Sequence, residues 1–348
     1  MKPPRVTLQD VADRAGVGSA TVDRVINERG QVSEAVTRKV LDAARILGLR
    51  RILPSSYRSM VRVNVVLARP ERPLINRMGV EFHRLGQRLD RTISIHRTTL
   101  KSEAPDAIAA AMARSEFDAV IVDAPDHPVI HQAIADLAAL GRPVVTIISD
   151  VPGSARLAYA GTDHYKAGRS AGYFLGRMTR PGPGQGKVIV LCHHLGFQAH
   201  AERVRGLSDQ LAAQAPHLVL AEIVRGGDDP LLSEMKLKAA FQRHPETRCI
   251  YNAGAGNRGV IAAMRADLLP QRPIFIGHEL TAFTYACLRD GLMTLTIDQS
   301  PELQAQYAVE VLMNHFGFDG ATHATPPYVS SVPIVLYGPE NLPDTLPE

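Results

Sequence analysis

The chain has 348 residues, 45% of them apolar and 21% charged, with a formal net charge of +4. That is the composition of an ordinary soluble globular protein, and the length suggests about two to three domains. No stretch approaches the ~18–20 apolar residues of a membrane span, and the N-terminus has no apolar signal region.

A cytosolic protein without a membrane partner is therefore expected. Cys192, Cys249 and Cys287 are widely spaced and form no C-x-x-C pair, the pattern of reduced, buried thiols. The charge is unevenly placed. Residues 1–58 hold 11 Lys and Arg against 6 Asp and Glu, a surplus of five; the other 290 hold 28 against 29. All the net basicity thus lies in the N-terminal segment, the electrostatic footprint expected of a nucleic-acid binder.

That segment opens with TLQDVADRAGVGSATVDRVIN, Thr7 to Asn27. Leu8, Val11, Ala12 and Ala15 fall at helical spacing, with Thr7 as cap and Asp10 three residues on. Gly16 stands where the chain must leave that helix. Ser19 is expected to cap a second helix, with Val22, Val25 and Ile26 inward and Ala20, Asp23, Arg24 and Asn27 outward. Ser33 is expected to cap a third, with Val36, Val40, Ala43, Ala44 and Leu47 inward. Three short helices around one small core make a helix-turn-helix unit. The bland alternative is an α-hairpin with a solvated face; the local charge argues for DNA.

From Val61 onward, β-rich runs alternate with helical patterns. The strands expected are 61–68, 92–96, 118–124 and 142–149, then 186–192, 217–224, 248–253, 272–278 and 292–298. Helical stretches follow them at 76–90, 104–115, 129–140, 164–179, 200–214, 230–243, 257–267, 281–290 and 302–316. Such alternation implies parallel sheets covered on both faces, an α/β class with two Rossmann-like lobes. Ligands in such sheets bind at the carboxyl ends of strands, here between the lobes.

Several motifs point away from catalysis. GPGQGKV (182–188) lacks P-loop spacing and precedes a strand, so it reads as a turn. GAGNRG (254–259) lacks the dinucleotide fingerprint. GHELTAF starts like a zinc-protease motif, but Ala282 stands where the second His belongs. CHHLGFQAH gathers Cys192, His193, His194 and His200 near a strand end. Loop residues, a ligand contact by His193 or His194, and a metal site are the readings of that cluster, in falling order. No G-x-S-x-G elbow occurs. No enzyme, cofactor or metal is expected.

The first 33 residues resemble the DNA-binding head of the LacI (lactose-repressor) family of bacterial transcription regulators. The family pattern, roughly T-x-x-D-V-A-x-x-A-G-V-S-x-x-T-V-S-R-V-x-N with a later V-S, is matched at fourteen positions. They are Thr7, Asp10, Val11, Ala12, Ala15, Gly16, Val17, Thr21, Val22, Arg24, Val25, Asn27, Val32 and Ser33. It departs at Gly18 and Asp23, where the family has serines. The resemblance implies a recognition helix from Ser19 lying in the major groove. Ser19, Ala20 and Arg24 would face base edges, and Thr7, Thr21, Asn27 and Ser33 would hold phosphates. Asp23 would either orient Arg24 or repel phosphate.

The body resembles the type I periplasmic sugar-binding fold that serves this family as effector domain. ERVRGLSDQL places Arg203 at the family's ligand-holding arginine, and IGHELT places Glu279 at its ligand-binding aspartate. TLTIDQSPE places Gln299 in the cleft. Asn252 of IYNAGAGNRG and Asp150 of TIISD stand nearest to two further polar positions. The connector departs most: the family's Y-x-P-N-x-x-A-R-x-L hinge, which wedges a leucine into the minor groove, is replaced by GLRRILPSSYRSM. Pro54 is shifted, Arg58 falls near the leucine position, and Leu53 or Met60 is left to substitute.

The resemblance thus implies a head at 5–51, a linker at 52–61 and a two-lobed effector-binding and dimerisation domain at 62–340. It implies a repressor acting as a homodimer, or a tetramer, on double-stranded operator DNA, with a sugar or polyol as effector. A non-sugar metabolite and a solute-binding transport protein are the alternatives.

Overall fold

A computed structural model describes residues 6–27, 29–30, 32–47, 49, 60–89, 93–114, 116–182, 184–193, 196–318 and 332–346. The linker residues 52–59, with Leu53, Pro54 and Arg58, lie outside them, as does His194.

The head consists of α1 (Leu8–Ala15), α2 (Ser19–Ile26) and α3 (Glu34–Leu47). The Thr7 hydroxyl accepts from the Asp10 amide while the Asp10 carboxylate takes the Thr7 amide, a reciprocal capping box. Gly16 ends α1 at φ 67, a left-handed conformation free of Cβ strain only for glycine. The cap of α2 falls on Gly18 rather than on Ser19. The Gly18 carbonyl already accepts from the Val22 amide, which puts Ser19 inside the first turn. Val11, Ala12, Val22, Val25, Ile26, Val40, Ala43 and Ala44 close into one core, so the inward stripes read from spacing are the packed ones.

The first lobe is built on β1 (Val61–Ala68), β2 (Ile93–Leu100), β3 (Ala119–Val122), β4 (Val144–Ile147) and β5 (Ala158–Ala160). They pair in parallel in the order β2-β1-β3-β4-β5. Period two decides which helix each residue meets. Val63, Val65 and Leu67 pack with Met78 and Phe82 of α4 (Pro73–Arg88) and with α12 (Pro301–His315). Val66 faces α5 (Pro105–Met112) and α6 (Pro128–Ala139) on the other side.

The second lobe carries β6 (Gly186–Cys192), β7 (Leu218–Arg225), β8 (Thr247–Asn252), β9 (Ile274–His278), β10 (Leu295–Asp298) and β11 (Val335–Tyr337), in the order β11-β10-β9-β8-β6-β7. Val188, Val190 and Cys192 of β6 meet α7 (His164–Met178) and α8 (Gln198–Gln214). Ile189 and Leu191 meet α9 (Pro230–Arg243), α10 (Asn257–Met264) and α11 (Ala282–Arg289).

Two features depart from the expected order. α12 packs on the first lobe although its sequence follows the second. β11, unanticipated like β5, pairs antiparallel with β10. The parallel strands all point their carboxyl ends at the other lobe, so a chain returning from that lobe must run the opposite way. The crossing segments meet where Thr162 bridges Val332 and the Val332 amide donates to the Gly161 carbonyl at 2.8 Å.

Candidate functional site

Between the lobes lies a cavity of about 890 Å³. Its walls are the segments that follow the strands, with Arg69 after β1, Asp123 after β3, His193 after β6, Asp228 after β7 and Glu279 after β9 among them. Backbone strain gathers at the same place. Among the described residues six non-glycine residues have positive φ, and four of them, Arg69, Ile148, Asp228 and Glu279, line the cavity. A β-branched residue such as Ile148 at φ 60 is held there only by its surroundings.

Arg203, on α8, is 3% exposed. Its Nε donates to His164 Nδ1 at 3.2 Å and its Nη1 to the Ala253 carbonyl at 2.8 Å. Because His164 Nε2 meets the Ile148 carbonyl, Nε2 carries the ring proton and Nδ1 accepts. Burial, then the Arg203 charge, pushes the His164 pKa well below its ordinary value, so the ring stays neutral. Burial also lowers the Arg203 pKa. Among the described residues no carboxylate is in ion-pair contact with Arg203, which leaves its charge for a ligand.

The same cavity holds three unsatisfied acceptors. Gln299 Nε2 donates to Glu279 Oε1, while Glu279 Oε2, Gln299 Oε1 and Asp123 Oδ1 are buried with no hydrogen-bond partner. Arg77 Nη1 is 4.0 Å from Glu279 Oε2, beyond hydrogen-bond reach. Burial pushes the Asp123 carboxyl up to about 7, with Glu103 adding to the shift. The Glu279 carboxyl is likewise raised, by burial first and by the Asp298 carboxylate second. Orphaned buried acceptors cost stability, and a ligand with several hydroxyl donors would satisfy all three.

Arginines tie the two lobes together at this cleft. At the mouth, Arg72 of the first lobe chelates Glu103 and lies 3.8 Å from Asp228 of the second. His193 Nε2 faces Glu103 at 3.4 Å. Outside the cavity lining, Arg77 of α4 holds Asp298 at 2.6 Å and the Leu280 carbonyl at 3.1 Å. Among the described residues no group of His, Cys, Asp or Glu is arranged to hold a metal ion.

Of the five residues expected in the cleft, Arg203, Glu279 and Gln299 converge on its wall, while Asp150 and Asn252 do not line it. The left-handed Ile148 turns the chain so that Asp150 folds back, pairing with Arg156 and accepting from Thr146 and the Val151 amide. Asp123 is the first-lobe acid that faces the cavity. Its signal was present: the apolar run of β3 ends directly on an acid. Asn252 acts one step behind the wall. It donates to Asn257 Oδ1 at 2.7 Å, and Asn257 in turn lines the cavity and holds the His278 carbonyl. His200, His278, Glu103 and Asp228 also line it; of these only His200 belongs to a cluster that the sequence marks.

In the head, Thr7, Ser19, Ala20, Arg24 and Ser33 are exposed, and Thr21 and Asn27 half-buried. The Asp23 carboxylate takes the Asn27 amide at 2.6 Å. Among the described residues no ion pair joins it to Arg24.

The fold and cleft define a two-lobed small-molecule-binding protein that carries a basic helix-turn-helix head. The chain belongs to the LacI family of bacterial regulators with a periplasmic-binding-protein body. Residues 7–50 match the family of bacterial regulatory proteins of the lacI type, and residues 91–319 match the periplasmic binding protein domain. Both are families of binding rather than catalytic domains.

No curated protein matches the chain. Among solved structures it is similar to a sugar-binding protein of a sugar ABC transporter from Bacillus halodurans, at 19% identity and TM-score 0.68 over 80% of this chain and 98% of that one. A glucose-galactose binding protein from Geobacillus stearothermophilus matches at 21% and 0.69, over 81% and 99%. A solute-binding protein from Burkholderia graminis, solved with D-arabinose, matches at 17% and 0.70, over 82% and 97%. At these identities the likeness is one of fold. Among the described residues no helix is long and apolar enough to cross a membrane.

Proposed function

We propose that the protein is a transcription repressor of the bacterial cytoplasm. Acting as a homodimer, it binds operator DNA through α2 and releases it when a sugar or polyol enters the cleft. One observation carries the effector reading. Three partnerless buried acceptors, on Asp123, Glu279 and Gln299, share a cavity with an unneutralised Arg203. Hydroxyls both donate and accept, so a polyol can answer both sets. An anion would have to sit against two carboxyl groups, and an apolar ligand would leave all of them unsatisfied.

Coupling to DNA follows if the ligand favours one lobe arrangement over another. A thermal-shift screen of sugars and polyols, followed by anisotropy on operator DNA, tests the reading. A hit must raise Tm by mass action and also weaken DNA binding. A ligand that stabilises without releasing DNA would argue for transport or storage instead.

Binding is expected to depend on pH. Ligand hydroxyls donate to ionised carboxylates, so binding favours the deprotonated forms of Asp123 and Glu279. With Asp123 at about 7, complex formation releases protons below neutrality, and affinity rises from about pH 6 to pH 8. Calorimetry in buffers of different ionisation enthalpy counts the protons. Zero release at pH 6.5 would place the ligand's hydroxyls elsewhere.

In the head, Arg24 is the exposed cation of α2 and suits the O6 and N7 acceptors of guanine. Arg24→Ala is expected to lose ~1–3 kcal/mol of operator discrimination. Anisotropy on operator and scrambled duplexes measures it. Equal losses on both would make Arg24 a phosphate contact.

A further inference from the structure

On a helix turning by roughly 100° per residue, Ser19, Asp23, Asn27, Ala20 and Arg24 share an arc of about 140°. The arc is the face proposed above to enter the groove, and Asp23 lies inside it. The carboxylate is not spent on Arg24. Its Oδ1 holds the Asn27 amide at 2.6 Å, which fixes the plane of the group, and Oδ2 has no hydrogen bond among the described residues.

α2 therefore carries one cation and one anion, so it gains little from the phosphate field. Its charges are suited to base edges rather than to the backbone. A carboxylate can only accept. Phosphate oxygens repel it, and the only donors in the major groove are the amino groups of cytosine and adenine. Adenine sets its N7 acceptor beside N6, against the second carboxylate oxygen; cytosine flanks its N4 with a C–H.

We propose that Asp23 is a base-reading residue that accepts from the N4 amino group of a cytosine, next to the guanine taken by Arg24. The assignment rests on the DNA reading of the head and deepens it. Asn27 serves Asp23 as a positioning residue. The operator half-site then contains adjacent G·C pairs in a fixed order, read by oppositely charged neighbours.

Selection from randomised duplex DNA with the full-length protein tests this. Wild type is expected to enrich a cytosine beside the guanine that Arg24→Ala no longer selects. Asp23→Ser should lose the cytosine by about tenfold and keep the guanine. Asp23→Asn should shift the choice to adenine, whose N6 and N7 match an amide. Replacing that cytosine by thymine presents the O4 acceptor and should weaken wild type by about tenfold or more, with Asp23→Ser indifferent.

If Asp23→Ser keeps the motif and binds selected and scrambled duplexes more tightly by one factor, the acid merely repels phosphate and the proposal falls. If wild type enriches no motif, the DNA reading falls and takes the proposal with it.

Discussion

Arg203→Ala is expected to abolish effector binding, and Glu279→Gln to weaken it, while both leave the affinity for operator DNA intact. The reason lies in what each side chain can give. Hydrogen bonds to a charged group contribute about 1.5–3 kcal/mol each, so losing two from the guanidinium weakens binding by roughly 100-fold or more. Truncation also strips His164 Nδ1 and the Ala253 carbonyl of their partner. Arg203→Ala should therefore cost stability as well.

Glu279→Gln separates the two effects. The Glu279 pKa is raised by burial and by Asp298, which means that the folded state holds a proton the unfolded state releases. Its contribution to stability is fully present below the unfolded value of 4.5 and is lost as pH rises through the folded value near neutrality. The amide removes that loss, so Glu279→Gln should gain Tm relative to wild type at pH 8 and not at pH 4.

The buried histidines work in the opposite direction. His164, His200 and His278 have lowered pKa values, so their contribution is present above about pH 6.5 and lost as pH falls. Subtracting the two Tm curves cancels them. Calorimetry with the hit from the sugar screen supplies the binding arm. Wild-type affinity in both variants would mean that the ligand does not sit in this cleft.

The parts legible in the sequence were those governed by local periodicity. The head's inward stripes follow from spacing that nothing distant overrides, and β6 is marked by a continuous apolar run between turn residues. β5 and β11, at three residues each, are too short to show a period and exist because a sheet edge is there to pair with. The placement of α12 on the first lobe has no local cause, since it depends on where the chain crosses.

Within the site, Glu279 and Gln299 directly follow strand ends and Arg203 lies in the second turn of α8, where the motif and the topology agree. Asp150 does not reach the cavity. The left-handed Ile148 re-aims the chain, and a β-branched residue announces no such conformation. The Asp23–Asn27 bond has a local signal, being an i, i+4 pair, but spacing alone does not say whether the carboxylate turns to Asn27 or to Arg24.

Gly206→Ala is expected to unfold the second lobe about 10 °C earlier, although alanine is the better helix former. A Cβ on Gly206 would stand 2.1 Å from the Tyr165 carbonyl oxygen, and one on Gly168 2.0 Å from the Arg203 carbonyl oxygen. The clash is with backbone on both sides, so no rotamer relieves it, and α7 and α8 must separate by on the order of 1 Å. Separation opens the contacts of Ala167, Ala171 and Leu175 with Val204, Leu207 and Leu211. Overpacking of this kind costs about 1–3 kcal/mol, here at the upper end because backbone meets backbone, and each kcal/mol lowers Tm by about 2–4 °C in a body of this size.

The same movement stretches the 3.2 Å bond from Arg203 to His164, so whatever remains folded should bind effector less tightly. Gly79→Ala is the matched control. Its Cβ would meet only side-chain atoms, at 3.7 and 3.9 Å, inside α4, and removal of glycine from a helix interior should stabilise by ~0.5–1 kcal/mol. Calorimetric scans of both variants decide the matter. Equal Tm shifts would mean that the helices accommodate the methyl group, and that the glycine pair does not set the position of Arg203.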